Sequence, residues 1–401
     1  MKDRDHNAAY IEMLEWLSSR SLQGWDVPTL LDGVVGKLAD LGISMYRVHF
    51  GIPVLNPLYV VGAYTWFPEK GVVVDNYARG IDNEEAYTKS PIKKFYDSGA
   101  TEGRIRIRPG TESDTYPMLV QAAAGGGTDY FLQLVGFDDR SGMPGTQEGV
   151  VMSWISSAEG GFSDDDIALL QRLGNPLCVE LKSLTQRRLV ADILHAYLGG
   201  YSADRVYDGQ IQRGDGDVID AVILFCDLRG SSKLAEHYDL KGFLGVLNDY
   251  YEITAGAVIE GGGEVLRYIG DASLAIFPFE RYASEKEACQ AAIDVAFNAV
   301  QRGERVNAER EKNGEPQIDF GIGLHTGTVM YGNIGTRERI EFTVIGKAAN
   351  EAARIEAQCK ELGETILVSK IFADQLEQPW RSHGSFSLRN IGKPIEILSP
   401  A

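Results

Sequence analysis

Apolar residues recur at three- and four-residue steps in AAYIEMLEWLSSRSL and DVPTLLDGVVGKLADLGI, which predicts two amphipathic helices near the start of the chain. The period then changes. MYRVHFGIPVL, YVVGAYTWF, GVVVDNYA, GRIRIRP, DYFLQLVGF and EGVVMSWISS are short, apolar or alternating, and punctuated by Gly and Pro, so they predict strands. Among them, EEAYTKSPIKKFYDSG predicts a helix interrupted near Pro91. A long helix is expected from FSDDDIALLQRLGNPLCVELKSLTQRRLVADILHAYL. Ser163 is a good N-cap, Asp164 to Asp166 suit the positive helix end, and Ser163 with Asp166 approximates a capping box. Leu170, Leu173, Leu177, Leu181 and Leu184 form a seam that either pairs with a second copy of itself or packs on its own domain. Pro176 should kink or break this helix.

GGYSADRVYDGQIQRGDGD reads as a polar joint. Beyond it the pattern sharpens into strand AVILFCDL, helix FLGVLNDYYEITAGAVIEG, hairpin GEVLRYIGDASLAIFP, helix EKEACQAAIDVAFNAVQRGERV, strands DFGIGLHTGTVMYGNIG and IEFTVIG, and helix KAANEAARIEAQCKEL. This β-α-β-β-α-β order predicts an α+β, ferredoxin-like core with additions. The expected domains are 1–162, a connecting helix and joint at 163–212, and 213–401.

Composition narrows the picture. The chain has 401 residues and a net charge of −18, which disfavours nucleic-acid binding. A local convergence of Arg or Lys still permits a single nucleotide. No apolar run has the ~18–20 residues of a membrane span, and MKDRDHNAAY is too charged for a signal peptide. Cys178, Cys226, Cys289 and Cys359 are scattered, with no metal or disulfide spacing, so a cytoplasmic protein is expected. The helix–strands–helix–strands–long helix order of the first region resembles a GAF-type sensor domain, an α/β fold, and implies an unknown small-molecule or protein effector there. His49 and His195 read as structural histidines.

Three stretches carry candidate chemistry. In VILFCDLRGSS, Asp227 ends a buried strand, Gly230 frees the backbone, and Ser231 and Ser232 can cap the next helix. Exposed N–H groups and a positive helix end favour a phosphate there, at Leu228, Arg229, Gly230, Ser231 and Ser232. In RYIGDASLAIF, Asp271 follows Gly270 in a tight turn between two strands. The fold sets this hairpin beside the first strand, so Asp227 and Asp271 can converge and hold divalent cations. In FTVIGKAANEAARIE, Asn350 and Arg354 share a helical face. There, Arg can stabilise charge on a phosphoryl group and Asn can orient a sugar.

Together these stretches resemble the class III nucleotide cyclases over about residues 217 to 399. The resemblance implies a homodimer with active sites at its interface and two divalent cations (Mg2+ or Mn2+) per site. One protomer would supply the metal pair Asp227 and Asp271. The other would supply Asn350, Arg354 and the purine-reading Arg267 and Thr343. Arg389, in SLRNIGKP, matches the family's basic residue for the β- and γ-phosphates, and Arg339 is a further triphosphate candidate. Ser231 and Ser232 stand where Phe and Thr are usual, and Lys347 where Asp or Asn is common. Arg267 stands where adenylate cyclases have Lys and guanylate cyclases have Glu. A cationic donor suits adenine N1, so an adenylate cyclase regulated by its N-terminal domain is expected. A guanylate cyclase and a non-catalytic nucleotide-sensing module remain the alternatives, since Arg also pairs with guanine O6 and N7. The Gly-Gly-Asp/Glu-Glu-Phe turn of diguanylate cyclases is absent from EGGGEVLRY.

Overall fold

A computed structural model describes residues 6–21, 24–54, 56, 59–78, 87–136, 149–389 and 391–401. The chain divides into two compact units, Met1–Ile193 and Leu194–Ala401.

The first unit opens with helices α1 (His6–Ser21) and α2 (Val27–Asp40). Then follow β1 (Met45–Pro53), β2 (Tyr59–Phe67), β3 (Gly71–Ala78), α3 (Pro91–Asp97), β4 (Glu102–Arg106), α4 (Pro117–Ala124), β5 (Asp129–Gly136), β6 (Gly149–Ser156) and the long helix α5 (Asp164–Leu198). The strands form one antiparallel sheet in the order β3-β2-β1-β6-β5-β4. Even-numbered residues of β1 (Val48, Phe50, Ile52) join Trp154 and the buried faces of α1 and α2 in one core. The opposite sheet face carries a second cluster around Leu119, Tyr130, Leu132 and Ile155.

Leu170, Leu173, Leu177, Leu181 and Leu184 of α5 lie in the first of these cores, so the leucine seam packs on its own unit. Ser163 and Asp166 form a reciprocal capping box, with Ser163 N donating to Asp166 Oδ2 (2.9 Å) and Asp166 N to Ser163 Oγ (3.1 Å). The two proline expectations fare differently. Of the kink or break expected at Pro176, the break does not occur: the helix is continuous from Asp164 to Leu198, because a long buried apolar face outweighs one lost backbone bond. The expected interruption near Pro91 is present: Tyr87 and Thr88 are helical, Lys89 and Ser90 are not, and Pro91 opens α3 as its first residue behind the N-cap Ser90. Residues 84–86 of that expected helix lie outside the described residues.

The second unit contains α6 (Gly200–Tyr207), β7 (Gly216–Leu228), α7 (Ser231–His237), α8 (Leu240–Glu260), β8 (Glu264–Ile269), β9 (Ala272–Pro278), α9 (Glu285–Lys312), β10 (Phe320–Gly335), β11 (Ile340–Ile345), α10 (Lys347–Leu362), β12 (Ile366–Ser369), α11 (Lys370–Ala373), β13 (Trp380–Phe386) and β14 (Ile395–Pro400). The sheet order is β13-β14-β12-β10-β7-β9-β8, with β11 paired to β10. Within it, β10-β7-β9-β8 is the fourth-first-third-second arrangement of a βαββαβ core. Alternation along β7 divides the faces. Val222, Leu224 and Cys226 pack with α8 and α9, while Ala221 and Ile223 pack with Ala348 and Ala352 of α10. The expected polar joint is in part helical. Glu264, buried at the start of β8, accepts from Tyr201 N (3.1 Å), Ser202 N (2.7 Å) and Ser202 Oγ (2.6 Å), which caps α6 from a distant strand. All four cysteines are buried free thiols. No described helix is long and apolar enough to cross a membrane.

Candidate active site

Asp227 follows the parity of Ala221 and Ile223, so it faces the α10 side of the sheet one residue before β7 ends. Ala272 is its partner across β9, which places Asp271 at the adjoining turn. Leu228 N donates to the backbone oxygen of Asp271 (3.1 Å). Gly270 supplies the left-handed residue of the turn, at φ 67°. Its carbonyl accepts from Tyr251 Oη (2.6 Å), which fixes the turn to α8.

The pair is electrostatically uncomfortable without a cation. Burial first, and then Asp271, push the Asp227 carboxyl above its ordinary range. Asp227 Oδ1 is buried and has no hydrogen-bond partner. An orphaned carboxylate oxygen beside a second carboxylate fits a divalent cation that also takes ligands from a substrate phosphate. Among the described residues no group of three or more His, Cys, Asp or Glu side chains is arranged to hold a metal, so Asp227 and Asp271 would share the ion with substrate and solvent.

Past β7, Gly230 takes φ 68° and is itself the N-cap of α7, with Ser231 and Ser232 in the first turn. The serines therefore do not cap the helix. Arg229 N is engaged by the Asp319 backbone oxygen (2.7 Å), and the Arg229 guanidinium reaches the Glu364 carbonyl. Phosphate contacts from this turn would fall to the N–H groups of Gly230, Ser231 and Ser232.

A third carboxylate, missed by motif reading, lies behind the pair. Glu356 is buried on α10, and a Cβ on Gly321, the cross-strand partner of Asp227, would lie 2.5 Å from Glu356 Oε1. Burial, then Asp227 and Asp271, push its carboxyl up to about 7, while Arg229 pulls it down. The folded value lies above the unfolded one, so the neutral form stabilises the fold. That contribution is complete below about pH 4.5 and is lost as the pH rises through about 7. The shift corresponds to roughly 3 kcal/mol. Urea denaturation of the metal-free chain should show stability falling between about pH 5 and pH 8, with Glu356→Gln flattening the fall. An equal slope in the variant would contradict this assignment.

Helix α10 carries Asn350 and Arg354 away from its own sheet. Ala352, Ile355 and Cys359 are buried, whereas Asn350 and Arg354 are both exposed on the opposite face. Arg354 has no ion pair among the described residues. Lys347 pairs with Glu351 (2.9 Å), which also meets His325 Nε2 (3.2 Å) and anchors the first turn of α10 to β10.

The residues expected at the purine lie together within one protomer. Thr343 pairs with Gly332 on β10, is fully buried, and has an unpartnered Oγ1. Arg267, on β8, is partly exposed and pairs at 2.7 Å with Glu341, two residues before Thr343 on the same face of β11. Glu341 escaped sequence reading because it lies 74 residues from Arg267. Arg339 is exposed in the β10–β11 turn, at the end of β10 remote from Gly321 and hence from Asp227. Arg389 is exposed beside Leu388, which packs against Ile355 and Cys359 of α10. The structure thus brings together Asp227, Asp271 and the Gly230 turn in one group, and Arg267 and Thr343 in another. Asn350, Arg354, Arg339 and Arg389 join neither group through a described contact.

Outside this unit, His49 bonds Thr65 Oγ1 (2.8 Å). His195, at the end of α5, bonds Asp204 (3.0 Å).

Residues 217–395 match the family model described as the adenylate and guanylate cyclase catalytic domain. An adenylate cyclase of Anabaena cylindrica is 37% identical over 179 residues, covering 44% of this chain and 34% of the relative. An uncharacterized protein of Mycobacterium tuberculosis is 28% identical over 243 residues, 60% of this chain and 41% of that protein. The chain therefore spans well under half the length of these curated relatives. Similar solved structures include the adenylyl cyclase CyaB from P. aeruginosa (21% identity, 46% of this chain and 94% of that one, TM-score 0.43). The guanylyl cyclase Cya2 is another (26% identity, 46% and 92%, TM-score 0.40).

Proposed function

Because residues 217–395 belong to the adenylate and guanylate cyclase catalytic-domain family, we propose that the chain is an adenylate cyclase. It would convert ATP to 3′,5′-cyclic AMP and pyrophosphate at sites shared between two copies. The observation that carries this reading is the buried, unpartnered Asp227 Oδ1 beside Asp271. Two divalent cations held there would acidify the ribose 3′-hydroxyl and neutralise the triphosphate. The turn at Gly230 offers N–H groups to the phosphates, with Arg389 and Arg339 as cationic contacts. Arg354 stabilises the charge that grows on the α-phosphoryl group during in-line attack, and Asn350 orients the ribose. No protein nucleophile is needed. Incubation of the chain with ATP and Mn2+ or Mg2+ tests this reading. Cyclic AMP is the expected product, and nucleotide binding without product would favour the non-catalytic alternative.

The exposed position of Asn350 and Arg354, on the face of α10 turned from their own sheet, supports a homodimer. In it each copy would complete the other's metal pair.

Nucleotide choice rests on Arg267 and Thr343. A guanidinium donor fits adenine N1, and Thr343 Oγ1 can serve the amino group. The Glu341–Arg267 pair gives a specific reason to keep guanylate cyclase as the second reading. Glu341 is an acceptor at the purine end, and guanine N1 carries a hydrogen. Turnover with ATP should exceed that with GTP in the parent chain. Arg267→Lys should raise the ATP/GTP ratio of kcat/KM by about 3- to 10-fold, because Lys is a compact donor without a fork for guanine O6 and N7. A ratio that falls would favour GTP as the substrate.

We read the first unit as a GAF-like sensor that regulates the cyclase. Helix α5 supports this, since it starts in the first unit's core and continues past the division at residue 193. Turnover by residues 194–401 alone should differ severalfold from that of the full chain. Equal rates under all conditions would count against regulation.

A further inference from the structure

The first unit's sheet carries a polar island on the face turned from α1, α2 and α5. Cross-strand register aligns Arg47 of β1, Ile155 of β6 and Tyr130 of β5 in one row. The next row on the same face holds Thr65, His49 and Ser153. Two half-buried arginines of this unit are paired differently. Arg104 and Arg106 share the fully buried Asp129, at 2.8 and 3.0 Å. Arg47 has no carboxylate partner among the described residues, and its one described hydrogen bond is a long one, from Nη1 to Ser153 Oγ (3.4 Å). The tyrosines 46, 77 and 130 are its electrostatic neighbours. Tyr130 is fully buried, and its Oη has no hydrogen-bond partner; Ser153 is near enough to influence it without reaching bonding geometry. Burial and the neighbouring Arg47 hold His49 well below its usual pKa, so the imidazole is neutral and Arg47 is the charge of the island.

A largely buried guanidinium without a counter-charge and a buried phenol without an acceptor, as both stand among the described residues, are each costly alone. Both deficits vanish if one anionic group accepts from both. We propose that this face of the first unit binds a small organic anion, whose carboxylate or phosphate group is held by Arg47 and Tyr130 Oη with Ser153 alongside. Tyr46 and Tyr130, both packed in the cluster on this face, suit an aromatic or otherwise flat remainder. This site is independent of the cyclase reading, since every residue named lies within Met1–Ile193.

Calorimetric titration of the full chain with benzoate, phenyl phosphate and the neutral benzyl alcohol tests the proposal. At least one anion should bind, benzyl alcohol should not, and the preferred anion identifies the head group. Arg47→Met should weaken binding about 10- to 100-fold and Tyr130→Phe by a smaller factor, in line with losing a charge-assisted and a neutral hydrogen bond. Unfolding of the unliganded variants is read from tryptophan fluorescence, because Trp16, Trp25, Trp66 and Trp154 all lie in this unit. Arg47→Met should be at least as stable as the parent, because an unpaired buried charge is replaced by a packed apolar chain. Absence of binding by both anions, equal affinity in Arg47→Met, or collapse of the Arg47→Met fold would each overturn the proposal.

Discussion

Asp227→Asn is expected to lower cyclic nucleotide formation by about a thousand-fold or more, which corresponds to several kcal/mol of transition-state stabilisation lost with the cation. The same substitution should leave the metal-free fold intact or more stable. In the parent chain Asp227 is a partly buried carboxylate set against Asp271, with one oxygen unpartnered, and both conditions disfavour its charge. The raised folded pKa means that its stabilising contribution is complete below the ordinary aspartate range. It is lost as the pH rises through the folded value, so at neutral pH the charge is a burden. Asn removes that burden at the same volume. Turnover assays beside urea denaturation in the absence of metal would check both halves. A variant that loses activity only because it unfolds would contradict the assignment, as would one that keeps parental turnover.

Arg354→Ala should lower turnover by about 10²- to 10³-fold, the usual scale for removing a donor to developing charge. Its effect on stability should stay within about 0.5 kcal/mol, because an exposed side chain without a described ion pair holds nothing in its own protomer. The loss should appear in kcat more than in KM, since the interaction is made mainly in the transition state. A loss confined to KM would make Arg354 a ground-state phosphate contact instead. Asn350→Ala belongs to the same class, on the same exposed face.

Much of this arrangement was legible in the sequence because it rests on local rules. Strand alternation sets the face of Asp227, a Gly-Asp turn marks Asp271, and a four-residue helical step gives Asn350 and Arg354 one exposure. The capping box at Ser163 and Asp166 is likewise local and forms as expected. What escaped depends on tertiary partners. The helix Gly200–Tyr207 looks like a polar joint because its N-terminal cap, Glu264, comes from a strand some sixty residues away. Pro176 resembles a breaker until the apolar face around it is seen to be fully buried. The Arg267–Glu341 pair and the placing of Glu356 over Gly321 arise only when β8, β11 and α10 meet. Arg47 shows the limit from the other side. Its spacing is that of an ordinary strand residue, and only the absence of a described counter-charge around it marks it out.

The central claim is that each active site joins the Asp227–Asp271 pair of one copy to the Asn350–Arg354 face of another. Co-expression of Asp227→Asn and Arg354→Ala chains tests it most directly. Each variant alone should be nearly inactive, whereas random pairing gives heterodimers with one intact site, and so about a quarter of parental turnover. A mixture no more active than the two variants measured separately would mean that both sets of residues serve the same chain, and the shared-site account would fail.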